Sequence, residues 1–289
     1  MANQISKFKV YVKLLDEVYK NASCTAILDG APELAQQGAN ADELIIPKID
    51  MDGLADYDRS AGYTMGGVEF KNETVKCNFD RGRKFLVDAV DDIDTAGIAF
   101  SKLSSEFLRR KVIPELDAFR IATYCKKADS SIKATTITDG ASAIKAIAKV
   151  FDDMTDNEVT QDGRILFASP TVLGLIRDLD TTKSKEIIGM FAKVQSVPSG
   201  RFYTAIEQLD GKTGGQEKGG FKKAAAGKAL DFLIVEPSAV IQFQKRNVNK
   251  AISPDDNKDA DGWQFNFREV GIADAYENKL SGIAGMYKA

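Results

Sequence analysis

The stretch LIIPKIDMDGLADYDRSAGYTMGGVEFKNETVKCNFD, Leu44–Asp80, decides how the rest of the chain is read. It opens on Leu44-Ile45-Ile46-Pro47-Lys48-Ile49 and passes through the turn signals Asp52-Gly53, Asp58-Arg59-Ser60-Ala61-Gly62 and Gly66-Gly67. Val68-Glu69-Phe70-Lys71 and Val75-Lys76-Cys77-Asn78-Phe79-Asp80 then alternate with period two, the spacing of strands whose successive side chains face opposite ways. The pattern predicts a long antiparallel excursion with a glycine-rich bend over Ile45–Val90. Its strands carry few apolar residues. A two-stranded ribbon with so little core is barely stable alone in water, so this one needs a partner surface, which points to assembly.

On the N-terminal side, Phe8, Tyr11, Val12, Leu15, Val18, Tyr19 and Ala22 recur at helical steps. The helix they predict joins the rest through Leu28–Asn40, which contains Asp29-Gly30, Pro32 and Gly38. It fits an arm lying on a neighbour and an ordinary first core helix equally well. On the C-terminal side, Asp94 or Thr95 caps the longest helical pattern: Ile98, Ala99, Leu103, Phe107 and Leu108, extended by Val112, Leu116, Phe119 and Ala122. From Thr95 to Lys126 it would run about 45 Å, with Pro114 breaking its hydrogen-bond ladder.

Beyond Lys127 helices and strands alternate. Ala143–Met154 and Thr171–Leu179 read as helices, the second with Pro170 near its first turn. Arg164–Ala168, Arg201–Ile206, Leu230–Val235, Val240–Lys245 and Trp263–Val270 read as strands, and Gly282–Tyr287 closes the chain as a short apolar run. The body is mixed, α/β or α+β, without internal repeats.

Composition narrows the chemistry. The 289 residues are 44% hydrophobic and 28% charged, values of an ordinary globular chain long enough to bury a sizeable core. A net charge of −3 gives no strong grip on nucleic acid or an anionic membrane. There is no histidine, which removes Ser-His-Asp and Cys-His nucleophiles and nearly all catalytic zinc sites. Carboxylate pairs, lysines and Mg²⁺ or Ca²⁺ sites remain. Cys24, Cys77 and Cys125 are few, scattered and form no CxxC, as expected of buried thiols in a reducing compartment. The start of the chain has no signal-peptide core and no apolar run reaches the roughly 20 residues of a membrane span. Synthesis in a cytoplasm, away from membranes, is the expectation.

Three segments are tested for chemistry. Gly211-Lys212-Thr213 suggests a phosphate loop, but the glycine required five residues earlier is Ile206. Asp210–Lys228 therefore reads as a mobile, basic, glycine-rich surface loop. Asn257–Gly262 matches the first half of a calcium loop, but its twelfth position is Arg268 where a glutamate belongs. A solvated turn is expected. Asp88, Asp91, Asp92 and Asp94 precede the long helix, where negative charge suits the helix dipole. Paired carboxylates there also fit acid–base or Mg²⁺ chemistry. Arg81-Gly82-Arg83-Lys84 and Arg109-Arg110-Lys111 are runs of the opposite sign. In an assembling protein, such patches set register between subunits.

Six segments together carry a family resemblance: IPKIDMDGLADYDR (Ile46–Arg59), FDRGRKFLVDAVDDIDTAG (Phe79–Gly97), FLRRKVIPELDAFRIATY (Phe107–Tyr124), RILFASPTVLGLI (Arg164–Ile176), FLIVEPSAVIQFQKR (Phe232–Arg246) and WQFNFREVGIADAYENKLSGI (Trp263–Ile283). In order and layout they resemble the major capsid proteins of tailed bacteriophages, the Hong Kong 97-like fold. The resemblance implies an α+β subunit of four parts: an N-terminal arm (1–40), an extended β-loop over an adjacent subunit (41–91), a peripheral domain with a long spine helix (92–129 and 242–289) and an axial domain (130–241).

It implies a non-enzymatic structural protein without cofactor or metal, self-assembling through hexamers and pentamers into an icosahedral virion shell around double-stranded DNA held without sequence specificity. A portal and a separate scaffold protein are implied partners, the latter because the arm begins almost at once. Synthesis and assembly belong in the bacterial host cytoplasm. Inter-subunit contact candidates are Tyr57, Arg59 and Tyr63 at the bend, Arg81, Arg83 and Lys84, then Asp91 and Asp92, and Arg109 and Arg110 on the long helix. The bend Ala61–Gly67 has no lysine and Lys71 is a poor substitute, so the covalent Lys–Asn cross-link of the family prototype is not expected. An encapsulin-like compartment is the alternative within the same fold. A cytoplasmic α/β enzyme using carboxylate or lysine chemistry is the alternative outside it.

Overall fold

A computed structural model describes residues 23–30, 36–37, 43–60, 62–88, 103, 105–179, 182–258 and 260–289. The expected helix at Phe8–Ala22, the start of the long helix at Thr95, and Asp91, Asp92 and Asp94 lie outside them. The strands, in chain order, are β1 (Gln36–Gln37), β2 (Glu43–Met51), β3 (Val68–Lys76), β4 (Phe79–Asp88), β5 (Ile132–Thr135), β6 (Ile165–Ala168), β7 (Lys193–Ser196), β8 (Ile206–Gln208), β9 (Phe221–Lys223), β10 (Leu230–Val235), β11 (Val240–Ile252), β12 (Gly262–Ala275) and β13 (Ile283–Lys288). Among the described residues the α-helices are α1 (Ile113–Lys127), α2 (Gly140–Asp156), α3 (Pro170–Leu179) and α4 (Thr182–Gly189).

The centre is a five-stranded sheet in the order β5-β13-β10-β6-β7. β10 runs antiparallel to both β13 and β6, while β13 pairs parallel with β5 and β6 parallel with β7. Alternation divides each central strand between two cores. Leu166, Ala168, Phe232, Ile234, Ala284 and Met286 face Ala143, Ile147 and Phe151 of α2 and Val172 and Ile176 of α3. Their neighbours Ile165, Phe167, Leu233, Val235 and Ile283 face Ile121, Tyr124 and Cys125 of α1. A strand covered on both faces has no solvent side, so its apolar residues run on without polar alternation. At the start of α2 the Asp139 carboxylate accepts from Ser142 N while Ser142 Oγ accepts from Asp139 N, a reciprocal cap.

The second layer is a ribbon sheet in the order β11-β12-β4, all antiparallel. Phe85, Phe265 and Phe267 turn one face of it onto Leu108 and Val112, and Phe79 meets Ile113 and Leu116 beside them. Leu108–Val112 forms a π turn that leads directly into α1, with Ile113 N donating to Leu108 O five residues back. The cause is local. Pro114 has no N–H to donate to Arg110 and its ring would crowd that carbonyl, so the ladder widens before the helix resumes. The expected break at Pro114 takes this form.

Four segments differ from the sequence reading. The antiparallel excursion ends at Lys76: Phe79–Asp88, read as part of it, is β4 of the ribbon sheet. The last strand, β13, sits between β5 and β10 in the five-stranded sheet and does not complete the ribbon sheet with β11 and β12. Arg201–Ala205 is not a strand, and Ile206 opens β8. Ser199–Arg201 is one 3₁₀ turn after Pro198, Phe202 is a fully buried plug, and Tyr203 makes a single bridge to Ala229. Asp210–Lys228 is no unstructured loop, because β9 folds back on β8 within it and Leu209 N donates to Gly220 O.

Candidate assembly surfaces

β2 and β3 pair along their whole length, from Glu43↔Lys76 to Met51↔Val68. The bend between them is shaped by its own polar groups. The Asp52 carboxylate accepts from Gly67 N at 2.7 Å and Asp52 N donates to Gly67 O. Asp58 and Gly62 close a tight turn, with Gly62 at φ 82°, a conformation glycine adopts without a Cβ clash. Tyr57 and Tyr63 meet as a tilted pair across the turn with ring centroids 4.8 Å apart.

This ordered bend covers almost none of its apolar side chains. Leu54 is 108% exposed, Met65 96% and Tyr63 89%, and Ile49, Met51, Tyr57, Val68 and Phe70 are also exposed. Outside the hairpin only Leu86, Leu179 and Met190 join them among the described residues. The hairpin is fastened at its base, where Val75 packs on Ile241 and Ile272. Concentrated apolar exposure on one projecting element marks a surface made for another molecule.

The N-terminal segment is rooted in the body by a buried polar network. Asp117 of α1, 0% exposed, receives five hydrogen bonds: Ser23 Oγ, Thr25 N and Thr25 Oγ1 to Oδ1, and Cys24 N and Arg201 Nη1 to Oδ2. Arg120 Nη1 donates to Thr25 Oγ1, and Arg120 Nη2 lies 3.4 Å from Asp29 Oδ1. Gln242 of β11 donates to Thr25 O and Asp29 Oδ1, and accepts from Tyr124 Oη. Full satisfaction is what makes buried charge tolerable. One atom is the exception: Glu269 Oε2 is buried without a partner, although Oε1 accepts from Gln244 Nε2. Burial pushes the Glu269 carboxyl up to about 7, Arg120 opposing and Asp29 and Asp117 adding to the rise.

The remaining contact candidates separate. Tyr57, Arg59 and Tyr63 stand exposed on the bend. Arg81 is occupied inside the chain: Nε meets Glu115 Oε1 at 2.8 Å and Nη2 donates to Leu209 O and Gly220 O. Burial still pushes the Glu115 carboxyl up, with Arg81 opposing. Arg83 Nη2 donates to Glu217 O, so the two arginines pin the β8–β9 loop to β4. Lys84 is exposed on β4, and Arg109 and Arg110 both pair with Glu106 one turn earlier. Asp91 and Asp92 are outside the described residues.

The two segments with phosphate-loop and calcium-loop spacing are closed by their own hydrogen bonds. The Asp210 carboxylate takes Lys212 N, Thr213 N and Thr213 Oγ1, filling with its own charge the nest a phosphate would need. Those bonds hold it at about 2. Asn257 Nδ2 donates to Gly262 O, so the segment with calcium-loop spacing is a closed turn. No group of three or more Cys, Asp or Glu among the described residues is placed to hold a metal ion. Cys24 and Cys125 are buried free thiols, and burial raises both.

The buried network is what sequence reading missed. Asp117 and Arg120 fall three apart inside an apolar helical pattern, and charges on a buried stripe are the signal that was available.

No family model matches the chain, and no curated protein does. Solved structures do. The capsid structure of cyanophage P-SCSP1u aligns at TM-score 0.60 and 11% identity, over 88% of this chain and 85% of that one. The mature capsid of bacteriophage PhiM1 aligns at TM-score 0.58 and 12% identity, over 86% and 82%. The chain has the Hong Kong 97-like fold. A virus-like particle from Pyrococcus furiosus also matches, at TM-score 0.53 and 9% identity, over 97% and 99%. At these identities the chain shares its layout with these structures and few residues.

Proposed function

We propose that this chain is the major capsid protein of a tailed bacteriophage, a non-enzymatic subunit that closes through hexamers and pentamers into an icosahedral shell around double-stranded DNA. The observation that carries the proposal is the hairpin β2–β3, which projects Leu54, Tyr63 and Met65 into solvent on a Hong Kong 97-like body whose own core is complete. Covered by a neighbour, this surface contributes roughly 25 cal/mol for each Å² of apolar area removed from water, multiplied over every copy of a closed shell. Residues 1–40 then act as the arm, 43–76 as the extended loop, α1 with the ribbon sheet as the peripheral domain, and the five-stranded sheet with α2–α4 as the axial domain. The shell is held without covalent links, because the bend between β2 and β3 carries no lysine. A scaffold protein and a portal complete assembly in the host cytoplasm, and the virion is the protein's final location.

Electron microscopy of the purified chain, alone and with its neighbouring genes expressed, tests the reading. Closed shells or rings of six and five support it. A monomer under every condition overturns it. The near-complete two-way coverage against the Pyrococcus furiosus particle favours one second reading, a cellular compartment of the same fold. Particles that purify with protein cargo in place of DNA decide for that reading.

A further inference from the structure

A cavity of about 240 Å³ opens between β4, the π turn ahead of α1 and the β8–β9 loop. Its floor is aromatic: Phe85 and Phe107 lie 4.7 Å apart between ring centroids, and Phe107 and Phe267 5.7 Å. Its walls are basic. Arg81 and Arg83 are committed to the β8–β9 loop, but Lys111 and Lys218 are exposed and have no ion-pair or hydrogen-bond partner among the described residues. The carboxylates facing them are Glu115, already paired with Arg81, and Asp210, bound to its own turn. An apolar floor under free cations selects an occupant with an apolar side chain flanked by negative charge.

The chain itself contains that occupant. The hairpin bend reads Asp52-Gly53-Leu54-Ala55-Asp56-Tyr57-Asp58, with three carboxylates, two large apolar residues and no cation. Leu54 is wholly exposed, so the bend does not fill the cavity of its own copy. Asp56 has no side-chain partner among the described residues, unlike Asp52 and Asp58, which shape the turn.

We propose that the Asp52–Asp58 bend of one copy docks in this cavity of a neighbouring copy, with Leu54 against Phe85, Phe107 and Phe267 and Asp56 facing Lys111 and Lys218. The inference rests on the shell reading and assigns that reading a specific lock. The apolar anchor supplies affinity at the centre of the contact, and the charges around it fix register and speed encounter.

Two experiments test it on the full chain. In particles carrying Ala55→Cys together with Lys218→Cys, which keep the Leu54 anchor and the Asp56 charge, oxidation yields a ladder of covalently joined subunits, whereas either single variant yields none. In parallel, Asp56→Lys alone and Lys111→Glu/Lys218→Glu alone each lower the fraction of protein in particles at least tenfold at about 50 mM salt, where charge is least screened. Combining the three substitutions restores assembly. If wild-type particles form but the ladder is absent and the charge variants assemble normally, the bend docks elsewhere and this inference falls while the shell reading stands. If wild-type protein forms no particles, the shell reading itself fails. A ladder without charge rescue also overturns the assigned pairing of Asp56 with the two lysines.

Discussion

The hairpin β2–β3 and the five-stranded sheet use the same element for opposite ends. In the sheet, Phe232, Leu233, Ile234 and Val235 are each 0% exposed, because helices cover both faces. In the hairpin, Phe70 and Val68 stay exposed although their backbone pairing is complete. Both regions are paired into sheets, so strand pairing does not explain the difference. Apolar burial does: one region finds its partners along its own chain, and the other leaves its apolar side chains uncovered. Substitutions in the two regions should therefore be read by different instruments, chain stability in one and particle yield in the other.

The sharpest way to break that contrast is a matched pair. Phe232→Ala empties a site under α2 and should cost about 3–5 kcal/mol of stability, visible as a large drop in the urea midpoint of the unassembled chain. Leu54→Ala should leave that midpoint unchanged and lower the yield of closed particles. A loss of chain stability from Leu54→Ala comparable to that from Phe232→Ala would erase the distinction.

The N-terminal root is intermediate, buried like the sheet yet polar throughout. Asp117→Ala strands Arg201, along with the Cys24 and Thr25 backbone donors, without their carboxylate and should also cost about 3–5 kcal/mol. Limited proteolysis should then cut between Ser23 and Gly30, a segment protected in the parent chain. A smaller effect concerns Glu269. Its folded-state carboxyl, near 7, lies above the roughly 4.3 of an unfolded glutamate. Between those values the folded chain holds a proton that the unfolded chain releases, so this group's contribution declines as pH rises from about 4 to 7. Glu269→Gln removes the decline, on the order of 3 kcal/mol. Urea midpoints at pH 5 and pH 8 should differ less in the variant than in the parent. The smallest effect belongs to Asp80 and Arg268, a two-pronged but exposed pair. Asp80→Asn should shift stability by less than about 1 kcal/mol.

Much of the architecture was legible. Leu230–Val235 and Arg164–Ala168 announced buried strands by continuous apolar runs between turn signals, and Pro114 announced the disturbed helix. Tyr57, Arg59 and Tyr63, contact candidates through the resemblance, stand exposed on the bend. Other elements were not legible for identifiable reasons. Phe202, Tyr203 and Ile206 have a strand's composition, but Phe202 serves as a core plug after the Pro198 turn, a use no local pattern encodes. The short strands β5, β7, β8 and β9 have three or four residues each, too few for periodicity to register. Arg81 looked like a surface charge because its partners, Glu115, Leu209 and Gly220, are distant in sequence.

By itself the sequence determined the elements with strong local signals: the alternating hairpin with its glycine-rich bend, the apolar strands, the proline-marked helix, and a chemistry without histidine. Only the tertiary structure decided which strand joined which sheet, that Phe79–Asp88 belongs to the ribbon sheet and Ile283–Lys288 to the central one, and that a buried carboxylate ties the N-terminal segment to α1. The physical reason is range. Periodicity and turn chemistry act between residues a few positions apart, whereas sheet partnership and buried charge are settled by whichever distant groups compete best for the same apolar face or the same proton donor.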